Sequence, residues 1–243
     1  MSERKAIPAA ERVIVALDVP DMARLSTFLD RLEGQPRFCK VGLELFVAEG
    51  AAAVEAVQRR GGKIFLDLKL HDIPETVARA VASATSLGVE LLTVHTAGGF
   101  EMMRRAVQVA KESAKGKPGI LGVTVLTSLS EEDLRADGIT GTMREAVVRR
   151  AKLAEKAGAT GIVCSPQEVA DVRAASGTLA LVVPGVRPAG AALGDQKRVA
   201  TPAGAIAAGA DYLVVGRPIR DAENPAAAFA ALVREVESAL ATT

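Results

Sequence analysis

Residues Phe65–Val77 read FLDLKLHDIPETV, and the alternation within them decides how the rest of the chain is read. Ile64, Phe65, Leu66, Leu68 and Leu70 are apolar, as a buried strand requires, while Asp67 and Lys69 stand at i,i+2 and so share one face of it. A charged pair facing inward from a buried strand is costly unless the two charges pair. Asp72 follows just past the strand end, and Pro74 suits the first turn of a helix. A structural ion pair closing the end of a barrel would account for Asp67 and Lys69 alone. The third charge and the helix start directly behind them point instead to an active site.

Outward from this strand, apolar and β-rich runs recur at Val13–Leu17, Phe38–Leu43, Lys63–Leu68, Val89–Val94, Ile120–Leu126, Thr160–Cys164, Leu179–Val183 and Tyr212–Val215. Between them, stretches such as Met22–Leu32, Ala51–Arg60, Thr76–Leu87 and Met143–Ala157 carry helical periodicity. Strands apolar on both faces, alternating with helices, predict a parallel sheet closed as an α/β single-domain (β/α)8 TIM barrel. Gly61-Gly62, Gly88, Gly158 and Gly209 fall where helices should stop. No linker composition divides the chain, so residues 1–243 read as one domain, with residues 1–11 as a short N-terminal tail.

The composition narrows the partners. At 49% hydrophobic but only 3% aromatic, the core must be built from Ala, Val, Leu and Ile. A net charge of +1 gives no reason to expect nucleic acid or an acidic membrane. Cys39 and Cys164 lie in apolar runs without CxxC spacing, which argues for buried, reduced thiols in a cytoplasmic protein. The opening MSERKAIPAAER has no apolar core of a signal peptide, and no later run reaches membrane-spanning length.

In a barrel, active-site groups come from the C-terminal ends of several strands. Here those ends carry Asp18, Asp67 with Lys69, Thr127 with Ser128, and Gly216 with Arg217, while Lys40 lies within strand two. Together they set alternating carboxylates and ammonium groups around one pocket mouth, each holding its neighbour charged. The segment from Pro184 to Pro202, PGVRPAGAALGDQKRVATP, is long for a connection and carries Arg187, Gln196, Lys197 and Arg198. A tolerated insertion is the plain account; a lid closing over a phosphate is the sharper one, because phosphate sites of this fold gather after strands seven and eight.

Rival chemistries are less well supplied. His71 and His95, the two histidines, suit packing or supporting hydrogen bonds better than direct chemistry. No metal is expected, since Lys40 and Lys69 beside Asp67 would repel a cation. A Schiff-base role for Lys69 would need a neutral amine, and flanking carboxylates favour the ammonium. Gly98-Gly99 could cradle a phosphate or form a turn.

The ordered set LDV at Asp18, KVGLELF from Lys40, DLKLHDIPETV, VLTS, PGVRP, GDQKR and GRPI resembles the orotidine 5′-monophosphate decarboxylase family over nearly the whole chain. The resemblance implies cofactor-independent conversion of orotidine 5′-monophosphate to UMP and CO2 in pyrimidine synthesis by a homodimer with shared active sites. It implies that Lys40, Asp67, Lys69 and the partner's Asp72 form the charge network, with Lys69 donating the proton. Asp18 and Lys40 would meet the ribose, with Ile73 and Thr76 also in substrate contact and Thr76 reaching across from the other subunit. Thr127 and Ser128 would lie near the pyrimidine, and Arg187, Gln196, Gly216 and Arg217 around lid and phosphate. Two alternatives stand beside it. Magnesium-dependent sugar-phosphate decarboxylases and aldolases of the same barrel group share D-x-K-x-x-D but expect an acidic residue where Lys40 stands. A non-catalytic phosphate-ligand-binding barrel would be expected to lack one of the network charges.

Overall fold

Each of the eight apolar runs becomes a parallel strand in the computed structural model, which describes residues 7–187 and 200–242. They are β1 Val13–Ala16, β2 Phe38–Gly42, β3 Lys63–Leu70, β4 Leu91–His95, β5 Gly119–Val123, β6 Gly161–Val163, β7 Ala180–Pro184 and β8 Tyr212–Val215. Every strand pairs with its sequence neighbours, and β1 pairs with β8 through Val13–Leu213, Ile14–Val214 and Val15–Val215, so the sheet closes in the order β1 to β8. Helices follow the strands on the outside, among them Met22–Arg31, Pro74–Thr85, Gly99–Glu112 and Met143–Lys156.

Two-residue alternation sorts the strand side chains into two cores. Ile14, Ala16, Phe38, Phe65, Leu91, Leu121, Val182 and Val214 fill the barrel interior. The intervening residues, including Val13, Val15, Cys39, Val41, Ile64, Leu66 and Leu92, pack outward against the helices. Cys39 is fully enclosed there, and burial pushes its thiol up to about 12, leaving it inert. The inner row stands below the mouth: one layer above Phe38, Phe65 and Leu91 come Lys40, Asp67 and Thr93.

Several boundaries differ from the sequence expectation. β5 stops at Val123 rather than Leu126, because β6 ends at Val163. Thr124 spends both its N–H and its hydroxyl on that last carbonyl, at 3.1 and 2.8 Å. Thr127 and Ser128 consequently sit in a turn beyond the strand. Leu43, expected at the end of β2, instead opens the helix Leu43–Glu49. A short helix, Glu131–Ala136, is inserted after β5 and held by a Ser130–Asp133 capping box. Asp18 lies two residues past β1, where Leu17 still donates its N–H to the Lys40 carbonyl at 2.9 Å.

The end of the barrel opposite the mouth is closed by a buried ionic cluster. Arg173 donates to Asp211 Oδ2 at 2.6 Å, and that same oxygen accepts the N–H of Leu181 at 2.8 Å. Arg12 donates to the Asp211 carbonyl at 3.1 Å.

Candidate active site

The inner face of β3 does not run regularly to its end. Phe65 and Leu66 pair with Leu91 and Leu92, but Leu70 pairs with Val94, so β3 uses four residues where β4 uses two. The extra residues form a bulge, and within it Lys69 takes a φ of 50°, a left-handed conformation that lysine rarely adopts. Simple alternation, the basis for expecting Asp67 and Lys69 on one face, is thus replaced by a kink. Across the kink the Lys69 ammonium lies 2.8 Å from Asp67 Oδ2.

The charges form a chain across three strands. Lys40 Nζ donates to Asp18 Oδ1 at 2.8 Å and lies 3.8 Å from Asp67 Oδ2. Asp67 Oδ2 therefore stands between two ammonium groups, while its Oδ1 accepts from the Thr93 hydroxyl at 3.0 Å. Lys40 and Asp67 are buried and Lys69 is half-buried, so these charges act across little water. Among the described residues no three His, Cys, Asp or Glu side chains converge as a metal site would need.

Two cavities meet at this chain. An apolar slot of about 150 Å³ runs from Phe65, Lys40, Asp67 and Lys69 to Val123, Thr127 and Cys164. A more polar mouth of about 360 Å³ is lined by Asp18, Arg187, Gly216, Arg217 and Arg220. Lys40, Pro184 and Val214 belong to both, so slot and mouth are continuous. A cleft of about 540 Å³ lies outside, against helix Met22–Arg31; it shares Asp18 and Arg220 with the mouth but holds neither Lys40, Asp67 nor Lys69. The chemistry belongs to the smaller, connected pair.

The residues expected from sequence thus fall into four groups. Asp18, Lys40, Asp67, Lys69, Thr127, Arg187, Gly216 and Arg217 line the connected cavities. Ser128, beside Thr127, is exposed and lines neither. Asp72, Ile73 and Thr76 are exposed at the rim, and Asp72 Oδ1 accepts the N–H of Ile73 at 2.7 Å. Gln196, with Lys197 and Arg198 of the expected lid, lies outside the described residues. The ends of that segment do meet: Val186 bridges to Ala200, and Arg187 donates its N–H to the Ala200 carbonyl at 3.0 Å.

Sequence reasoning missed Thr93 and Arg220. Thr93 is a lone hydroxyl on the inward face of an apolar strand, LLTVH, and its parity with Leu91 was the available signal. Arg220 lines the mouth and donates to the Asp18 carbonyl at 2.9 Å. The histidines stack on each other, with ring centroids 5.3 Å apart. His95 Nδ1 accepts the N–H of Ala97 at 3.1 Å. Burial, then His71, Arg150 and Lys69, holds its imidazole down at about 4.

Comparison with known proteins adds to this geometry. The model of the "Orotidine 5'-phosphate decarboxylase / HUMPS family" matches residues 11–232. An orotidine 5′-phosphate decarboxylase of Anaeromyxobacter sp. is 57% identical over 224 residues, covering 92% of this chain and 97% of that one. The Moorella thermoacetica orotidine 5′-phosphate decarboxylase is 49% identical over 235 residues, covering 94% and 93%. The crystal structure of the Lactobacillus acidophilus orotidine 5′-phosphate decarboxylase superposes with a TM-score of 0.82 at 37% identity, over 93% of this chain and 99% of that one.

Proposed function

The chain belongs to the orotidine 5′-phosphate decarboxylase / HUMPS family, and from that premise we propose that it converts orotidine 5′-monophosphate to UMP and CO2 in pyrimidine synthesis. The observation that carries this reading is the Asp67 carboxylate held between Lys40 and Lys69 where an apolar slot opens into an arginine-lined mouth. The slot suits a flat pyrimidine, and Arg187, Arg217 and Arg220 suit the phosphate.

In the step itself the bond from C6 to the carboxylate carbon breaks and CO2 leaves. The electron pair stays at C6 in an orbital in the ring plane, which the ring does not delocalise. The Lys69 ammonium stabilises that charge as it develops and then transfers a proton to C6, so the donor is already oriented before the barrier is crossed. Asp67 near the departing carboxylate raises the energy of the bound substrate by like-charge repulsion. Asp18 and Lys40, paired at 2.8 Å, suit the ribose hydroxyls. Binding energy gathered at the phosphate lowers the barrier to a reaction at the remote carbon.

The catalytic unit in this reading is a homodimer. Asp72 makes no ion pair within its own chain among the described residues, and it stands at the rim beside exposed Ile73. Leu43 and Val47, one helical turn apart, are exposed too. An apolar rim of this kind fits an interface through which Asp72, with Ile73 and Thr76, enters the neighbouring pocket. Two buried free thiols fit a reducing, cytoplasmic setting.

The test is to incubate the purified protein with orotidine 5′-monophosphate and follow ultraviolet absorbance and UMP formation, before and after exhaustive chelation. Turnover that survives chelation is expected. Loss restored only by magnesium would overturn the metal-free step. No turnover in either condition would sink the decarboxylase reading and turn the test to a sugar phosphate with magnesium, the substrate class of the lyases in the same barrel group.

A further inference from the structure

We propose that Thr93 is a positioning residue whose hydroxyl sets the Lys69 ammonium and the Asp67 carboxylate in their working geometry. The inference rests on the decarboxylase reading and extends it to a side chain that touches no substrate atom in that scheme. Thr93 is completely buried on the inner face of β4. Its hydroxyl has two partners: it accepts the backbone N–H of Lys69 at 2.8 Å and donates to Asp67 Oδ1 at 3.0 Å. Only a group that both donates and accepts can do this, and among side chains of this size the hydroxyl is the one that does.

The two bonds act on different parts of the site. Lys69 holds a left-handed φ of 50°, which disfavours a residue with a Cβ and persists only where surroundings enforce it. The N–H of Lys69 lies in the bulge, where β3 and β4 lose register, and Thr93 Oγ1 replaces the ladder partner there. The same oxygen's proton fixes Asp67 Oδ1, leaving Oδ2 turned to Lys69 at 2.8 Å and Lys40 at 3.8 Å. Thr93 thereby ties the backbone that aims the proton donor to the carboxylate that pairs with it. Losing the hydroxyl frees the bulge to relax toward extended backbone and leaves a buried carboxylate oxygen without its donor.

Valine at this position keeps the shape and removes the hydroxyl, whereas serine keeps the hydroxyl and removes a methyl. Thr93→Val should lower kcat about 100-fold, the size of effect seen when a group aimed at developing charge is displaced. Its affinity for UMP should change by less than about threefold, and so should kcat of Thr93→Ser. A crystal structure of Thr93→Val reads the same device without turnover, with residue 69 expected to leave the left-handed region or its ammonium to leave Asp67. Valine and serine variants with equal losses, a valine variant at wild-type kcat, or an unchanged bulge and ion pair in the crystal would each overturn the proposal. Should UMP affinity fall in step with kcat, the role of Thr93 would be general packing and the proposal would fail. Wild-type protein inactive on orotidine 5′-monophosphate would instead bring down the decarboxylase reading, and the catalytic role of Thr93 with it.

Discussion

A side chain at Gly42 would enter the charge network directly: a Cβ there would stand 2.8 Å from Lys40 Nζ and 3.2 Å from Asp18 Oδ1. Its φ of −97° is open to any residue, so the obstacle is the ammonium rather than the backbone. A lysine tip can move, so Gly42→Ala should still fold, but pushing a buried ammonium off its carboxylate should cost about 1 kcal/mol or more of stability. Moving Lys40 off Asp18 should also cost about tenfold or more in kcat/KM, since misplacement by an ångström is enough. Thermal unfolding and turnover measured on one preparation check this, and full activity would show that the Lys40–Asp18 contact is dispensable. At His95 the consequence is a pH dependence of stability. The unfolded chain has the ordinary imidazole value of about 6.5, whereas the folded value is held at about 4. Between these values the unfolded chain binds a proton that the folded chain refuses, so stability falls as pH drops through the window. Protonation at Nδ1 would also break the bond from Ala97. Asparagine offers an acceptor to Ala97 without titrating. Wild type should therefore lose more unfolding free energy than His95→Asn between about pH 7.5 and about pH 5 in urea titrations. Equal losses would assign the acid sensitivity to other groups.

At the scale of strands and helices, β3 marks both what was legible in the sequence and what was not. Its apolar run, the two inward charges and the proline-started helix behind it were readable because each follows from local chemistry. The bulge was not, because it is a relation between β3 and β4: the two strands fall out of register only between Leu66 and Leu70. Thr93 was missed for the same reason, since its meaning comes from the strand beside it. The end of β5 depended likewise on where β6 stops, and the helix at Leu43 on β2 ending at Gly42. The charges were legible because Asp18 and Asp67 with Lys69 close apolar runs and Lys40 interrupts one. The opposite end of the barrel went unread altogether. There Asp211 is almost completely buried between Arg173, Arg12 and the N–H of Leu181. Asp211→Ala leaves the Arg173 guanidinium with carbonyl acceptors but no carboxylate and strips the Leu181 N–H of its acceptor, and should cost about 3 kcal/mol of stability. Because barrel chemistry sits at the other face, kcat of the folded variant should stay within about twofold of wild type. Denaturant unfolding together with turnover at low temperature separates the two effects; a large fall in kcat without loss of stability would couple the two faces.

At the scale of the whole molecule, the single chain supplies Asp18, Lys40, Asp67 and Lys69 to its own pocket, while its Asp72 stays exposed at the rim. Asp67 already has two cations near it, and Lys69 has one oxygen of Asp67 within bonding distance. A carboxylate arriving from a second copy would complete the alternation on the open side of Lys69. In a twofold dimer each subunit would give its Asp72 and receive the other's. Lys69→Ala and Asp72→Ala homodimers should then both be nearly inactive. In a mixed dimer one site lacks both groups and the other has both intact. Random exchange makes about half of all dimers mixed, and half of the sites in those are whole, so an equal mixture should recover about a quarter of wild-type sites. The two variants are unfolded and refolded together, exchange is confirmed with differently tagged chains, and turnover is assayed. Serial dilution adds a second readout, because activity recovered by mixed dimers should fall as dimers dissociate. Verified mixed dimers without recovered activity would mean that Asp72 serves its own chain's pocket or that the dimer is not the catalytic unit.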